Sequence, residues 1–114
     1  MSKADYAEFK FNSALIEDDD FDMLVMGRTQ GKGCYCFVNG LLQAQLAKLQ
    51  NNYPYMVVDN EAGMEHISRG VLPTMQTAIL VSDCSRRGIQ AVGRIKKLIE
   101  ECDMHPQQIG LIVN

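Results

Sequence analysis

Two short stretches of this sequence hold residues able to do chemistry. The first is Gly-Lys-Gly-Cys-Tyr-Cys, residues 31–36. Cys34 and Cys36 stand one residue apart, and two thiolates this close can grip one soft or borderline ion such as Zn2+, Ni2+ or Cu+. Lys32 and a helix beginning nearby would both favour the thiolate form. A tetrahedral site wants four ligands and one C-x-C supplies two, so a two-fold pair of chains completes it economically. Two inert, half-buried thiols satisfy the same spacing. The second stretch is Val-Val-Asp-Asn-Glu-Ala-Gly-Met-Glu-His, residues 57–66. An aspartate ending an apolar run is costly to place unless it has work to do. Asp59 can organise Mg2+, directly or through water, or it can cap a turn or helix that begins near Glu61. Gly63 permits close approach of a backbone N–H to a terminal phosphate.

Other reactive residues read more plainly. A phosphate-binding loop follows the pattern G-x-x-x-x-G-K-[ST]. From Gly27, only Arg28, Thr29 and Gln30 precede Gly31 and Lys32, and Gly33 has no hydroxyl for Mg2+. That stretch is therefore not a phosphate loop. Cys102 and His105 have a metal-like spacing but no second pair, and read as a half-buried cysteine and a helix-terminal histidine. His66 reads as a surface or dimer contact and Cys84 as packing. Arg86, Arg87 and Arg94 read as an exposed helix face.

The elements that must position these residues show in the apolar patterning. Four continuous runs, at 21–27, 55–60, 77–83 and 108–114, suit strands buried on both faces. Between them, Val38, Leu41, Leu42, Leu46 and Leu49 recur at helical spacing over 38–50. Ile89, Val92, Ile95, Leu98 and Ile99 do the same over 86–101. Ser85 predicts the N-cap of the second helix, with Asp83 the weaker candidate. A short helix is expected over about 64–70. The acidic run Glu17 to Asp20 reads as a solvated turn before a strand. The alternation predicts an α/β fold, a mostly parallel sheet with flanking helices. Ligands then collect at the carboxyl ends of the strands, in the loops 27–36, 59–65 and 82–88.

Composition sets the class. The chain has 114 residues, 46% hydrophobic and 22% charged, which fits one globular domain. A net charge of −3 gives no reason to expect nucleic acid or an anionic membrane as partner. No apolar run approaches the ~18 residues of a membrane span. The first residues lack the apolar core of a signal peptide. The expectation is cytoplasmic, with Cys34, Cys36, Cys84 and Cys102 as thiols or ligands rather than disulfides.

The strings DMLVMGRTQGKGCYCFVNGLL, YPYMVVDNEAGMEHISRG, ILVSDCSRRGIQAVGRI and IGLIVN, taken in order, cover nearly the whole chain. Together they resemble the CooC type of carbon monoxide dehydrogenase maturation factor. That family is a branch of the MinD/ParA and nitrogenase iron-protein class of P-loop ATPases. The resemblance implies an ATP-dependent homodimer that helps deliver nickel to carbon monoxide dehydrogenase. It implies Cys34 and Cys36 as ligands to a Zn2+ or Ni2+ shared across the dimer interface. It implies Asp59 as the Walker-B type aspartate for Mg2+ beside ATP or ADP. The segment from Asp59 through Glu61 to Glu65 becomes a γ-phosphate switch hinged at Gly63. Asn114 becomes the strand-end residue that contacts adenine.

The departure from that family is the phosphate loop itself. Its two-lysine loop and first strand have no counterpart here, and neither do the family's final elements. The expectation is a partial P-loop domain, an internal piece of a longer protein, which does not hydrolyse ATP by itself. In the family the loop strand lies between the strands ending at Asp59 and Asp83, so its loss would leave a slot or make those two pair directly. Two other readings compete. One is a small metal-binding or redox module without nucleotide chemistry; the other is a MinD/ParA-like positioning ATPase without metal.

Overall fold

A computed structural model describes residues 2–25, 36–63 and 74–114, with the side chains of 36–39 outside the description. The chain divides into two compact units, Met1–Pro54 and Tyr55–Asn114.

The first unit opens with helix α1, Lys3–Ala14. Its start is fixed by a capping box. The Ser2 hydroxyl accepts from the Asp5 N–H at 3.1 Å, and the Asp5 carboxylate accepts from the Ser2 N–H at 3.1 Å and its hydroxyl at 2.7 Å. These bonds favour the ionised carboxyl and hold Asp5 below the ordinary range. A short hairpin follows, β1 (Ile16–Glu17) antiparallel to β2 (Asp22–Met23). Asp18, Asp19 and Asp20 form its exposed connection, as the acidic run predicts, closed by the Asp18 N–H donating to the Phe21 carbonyl at 3.1 Å. Helix α2, Cys36–Gln50, lies against α1. Its Lys48 meets Glu8 at 3.7 Å, but both side chains are exposed, so the pair adds little. The Tyr53 hydroxyl donates to the Asp22 carboxylate and ties the end of α2 to the hairpin. That hydrogen bond, more than the nearby negative charge, raises the Tyr53 pKa above its ordinary value.

The second unit carries the parallel pair. Strand β3 (Thr77–Ser82) and strand β4 (Gln108–Val113) run in register from Thr77 opposite Gln108 to Ser82 opposite Val113. Helix α3, Arg86–Glu101, forms the crossover and packs on β3. Ala78, Leu80, Val92 and Ile99 make the core, with Met75, Ile95 and Met104 against its edge. Past α3, Asp103 and His105 both take positive φ, 60° and 37°, and the Asp103 carboxylate meets His105 Nε2 at 2.6 Å.

The architecture is α/β, with a parallel strand pair flanked by helix, as the alternation predicts. Several local expectations are corrected. Of the strand expected over 21–27, residues 26 and 27 lie outside the described residues; among the described ones it pairs only at Asp22–Met23, in an antiparallel hairpin with Ile16–Glu17. The segment 55–60 is not a strand: none of the described residues pairs with it, and Tyr55 and Val57 are 87% and 93% exposed. Among the described residues, no strand is buried on both faces. Strand β3 alternates buried and exposed, and β4 is exposed throughout, because α3 covers one face and only the β3 half of it. Cys84 and Cys102 are both exposed, neither packed nor half-buried. Helix α3 keeps its expected bounds and its Ser85 cap, and Arg86, Arg87 and Arg94 are exposed as read. The helix expected over 64–70 and His66 lie outside the described residues.

Candidate functional site

The candidate residues fall on three pieces of backbone. Cys34 and residues 31–33 lie outside the described residues. Cys36 is the first residue of α2. Among the described residues, no group of three or more His, Cys, Asp and Glu is placed to hold a metal ion.

Asp59, Glu61 and Gly63 share one exposed loop with no regular structure. The Asp59 carboxylate therefore stands open to solvent, a hard oxygen donor of the kind Mg2+ takes. Gly63 has φ +109°, in the region that glycine adopts freely and L side chains resist, and a Cβ there would meet open space. The demand for glycine at 63 is thus conformational rather than steric.

The third piece is the carboxyl edge of the β3–β4 pair. The Asn114 N–H donates to the Ser82 carbonyl at 2.8 Å, carrying the ladder one step past β4. Its side chain is exposed. Beside it, the chain leaves β3 through a tight turn into α3. Ser82 is buried, and its hydroxyl donates to the Asp83 carbonyl at 2.7 Å. Asp83 Oδ1 accepts from the Ser85 N–H at 3.0 Å and the Ser85 hydroxyl at 2.5 Å. Ser85 Oγ in turn accepts from the Gly88 N–H at 3.0 Å, the N-cap bond. Donation from the Ser85 hydroxyl, then from its N–H, holds the Asp83 carboxyl below the ordinary range. Asp83 is therefore not the cap; it braces the residue that is.

The resemblance marks Val-Ser-Asp-x-Ser-x-Arg-Gly, residues 81–88, as a specific turn, and the spacing offers Ser85 as the cap with Asp83 the weaker candidate; neither gives Asp83 or Gly88 its structural part. The signal is Asp-x-Ser-x-x-Gly over 83–88. A Cβ built on Gly88 would fall 2.2 Å from Asp83 Oδ1 and 2.6 Å from Ser82 Oγ.

No described helix is long and apolar enough to cross a membrane. No protein-family model and no solved structure matches the chain. Several curated proteins do. The uncharacterized ATP-binding protein MJ0685 of Methanocaldococcus jannaschii is 40% identical over 114 residues, which is 100% of this chain and 45% of that protein. The uncharacterized ATP-binding protein MJ0823 of the same organism is 32% identical over 95 residues, 81% of this chain and 36% of that protein. The carbon monoxide dehydrogenase accessory protein CooC of Rhodospirillum rubrum is 28% identical over 89 residues, 75% of this chain and 34% of that protein. The chain spans less than half the length of these relatives. It is an α/β chain, similar from end to end to a stretch of a protein described as ATP-binding.

Proposed function

We propose that this chain is part of a P-loop ATPase of the MinD/ParA class, the part that holds the nucleotide switch and a metal clasp. The full-length match to an ATP-binding protein at 40% identity carries the nucleotide reading. Asp59 supplies the carboxylate for Mg2+, Gly63 the hinge of the switch with Glu61 beside it, and Asn114 the contact to the adenine of ATP or ADP. Bound phosphate, when present, comes with a loop that this sequence does not contain.

The finer reading is a nickel-insertion factor for carbon monoxide dehydrogenase, acting as a cytoplasmic homodimer without nucleic-acid or membrane partners. The similarity to CooC supports it, together with the Cys34 and Cys36 pair. Closure of two subunits on ATP would bring both pairs into one four-thiolate site for Zn2+ or Ni2+, and hydrolysis would open it. A second reading keeps the ATPase and drops the metal. The greater identity to proteins described only as ATP-binding favours it.

Metal titration separates the two. The nickel reading expects about one Zn2+ or Ni2+ per two chains, with pairing of chains on binding, and loss of both in Cys34→Ser. Absence of binding, or binding indifferent to Cys34→Ser, overturns it and leaves the ATPase alone. The 114-residue chain itself is expected to show no ATP turnover; Mg2+-dependent hydrolysis by the purified chain would overturn the assignment of the phosphate chemistry elsewhere.

A further inference from the structure

We propose that the outward face of helix α3 is a docking surface for an acidic helix of a partner protein. Arg86, Arg87, Arg94 and Lys97 receive its carboxylates, and Gly93 marks the closest approach of its backbone. This surface lies on α3 alone and is independent of the nucleotide reading above.

The charge of the chain is unevenly placed. Of its 11 Lys and Arg, 5 stand in the 16 residues of α3, against 2 of its 14 Asp and Glu. Those two acids, Glu100 and Glu101, close the last turn, so residues 86–97 carry Arg86, Arg87, Arg94, Lys96 and Lys97 with no acid among them. Val92 and Ile99 are buried toward β3. Positions 86, 90, 94 and 97 recur at spacings of four and three, so Arg86, Gln90, Arg94 and Lys97 form one row, about 16 Å long, on the opposite face. Arg87 flanks the row, and all of these side chains are exposed. Lys97 meets Glu101 at 3.9 Å, a weak exposed pair, whereas Arg86, Arg87 and Arg94 meet no carboxylate among the described residues.

Two features of this face work against the isolated helix. Arg86 and Arg87 occupy the first turn, at the positive end of the helix dipole, where no acidic residue stands. The Asp83 carboxylate just before them is bonded to Ser85 instead. Gly93 stands between Gln90 and Lys97 on the exposed side, mid-helix, where glycine is a poorer helix former than alanine. A Cβ at 93 would meet nothing within 4 Å, so no described neighbour requires a glycine there. An acidic helix laid antiparallel along the row answers both. Its carboxylates pair with the cations, its negative C-terminal end lies beside Arg86 and Arg87, and the bare backbone at Gly93 lets the two helices approach closely. An extended polyanion fits less well, because the remainder of the chain is rich in acid and repels it. A bilayer fits less well too, because the apolar side of α3 is turned onto β3.

The test titrates the 15N-labelled 114-residue chain with two synthetic helical peptides of the same composition. In one, glutamates form a single row at spacings of three and four; in the other they are dispersed around the helix. The row peptide should shift the amides of Gln90, Gly93 and Arg94 and bind roughly tenfold more tightly than the dispersed one. Arg87→Gln combined with Arg94→Gln should weaken it by roughly tenfold, and Lys10→Gln combined with Lys48→Gln, which removes the same charge from the first unit, should leave it unchanged. Gly93→Leu keeps every charge and places a better helix former at 93, so it separates close packing from attraction alone. It too should weaken the row peptide by roughly tenfold. A row peptide that does not bind, equal binding of the two peptides, or indifference to the Arg87 and Arg94 substitutions overturns the docking surface. Undiminished binding by Gly93→Leu overturns a helix as its occupant. A short DNA duplex and phosphatidylserine vesicles, at the same ionic strength, should each bind more weakly than the row peptide; tighter binding of either overturns the acidic protein partner.

Discussion

Replacing Ile99 by alanine should remove a large part of the stability of the second unit. Ile99 is 2% exposed and packs among Ala78, Leu80 and Val92. Full burial of such a side chain is worth about 1.5–3 kcal/mol, and truncation adds the cost of the cavity, giving a range of about 2–5 kcal/mol. This core is covered on one side only, and Ile95, Met75 and Met104 at its edge can move into the space. That places Ile99→Ala in the lower half of the range, about 2–3 kcal/mol. Ile79 is the matched control. It sits on β3 facing away from α3 and is 62% exposed, so its truncation should cost less than about 1 kcal/mol. Urea titration followed on the methyl resonances of Leu80 and Val92 reports this unit specifically. With a slope of about 1 kcal/mol per molar, the midpoint should fall by about 2–3 M for Ile99→Ala and by under about 1 M for Ile79→Ala. Equal shifts would refute the one-sided core, because they would mean that the face of β3 turned away from α3 is covered as well.

Three further outcomes follow from named bonds. Ser85→Ala deletes the N-cap of α3 and should cost about 1 kcal/mol, lowering the Tm of the second unit by roughly 4–8 °C in calorimetry. The Asp83 carboxyl is held low by Ser85, so its contribution to stability is full above the ordinary Asp pKa of about 3.9 and is lost as pH falls through the depressed value. An acid titration of α3 resonances should therefore lose that limb in Asp83→Asn. Tyr53 has the opposite sign: its pKa is raised by the bond to Asp22, so that bond stabilises fully below about pH 10 and is lost as pH rises through the raised value. Tyr53→Phe should abolish this alkaline loss, read from the circular dichroism of the first unit between about pH 9 and 12.

The parts of the fold legible in the sequence are those whose signal is internal to one element. Helix α3 shows in the spacing of Ile89, Val92, Ile95, Leu98 and Ile99 and in the Ser85 cap. Strands β3 and β4 show as apolar runs. Helix α1 has no such signal because it buries no residue; its mark is the Ser2 and Asp5 capping pair. The segment 55–60 has a strand's composition, but a strand is a relation between two segments, and composition does not supply the partner. Reading continuous apolar runs as doubly buried assumed layers on both faces, whereas α3 covers one. At the site, Asp59 and Gly63 are legible because an aspartate after an apolar run and a glycine in a loop are conspicuous. Gly88 shows as the end of the Val-Ser-Asp-x-Ser-x-Arg-Gly turn, but why a glycine stands there does not show until Asp83 and Ser82 are placed against it.

The register of the parallel pair also dictates an order of events. Thr77 pairs with Gln108 and Ser82 with Val113, so every rung joins residues 31 positions apart. The loop-closure entropy of such a rung is lost before its contacts repay it, whereas α3 gains from neighbours a turn away. Helix α3 docking on β3 shortens the search, bringing the start of β4 alongside its partner. The ladder is then the late step. Until it closes, β3 presents an open edge and an apolar face to other chains, and the time spent in that state sets how concentrated a refolding solution of this protein can be before chains find each other first.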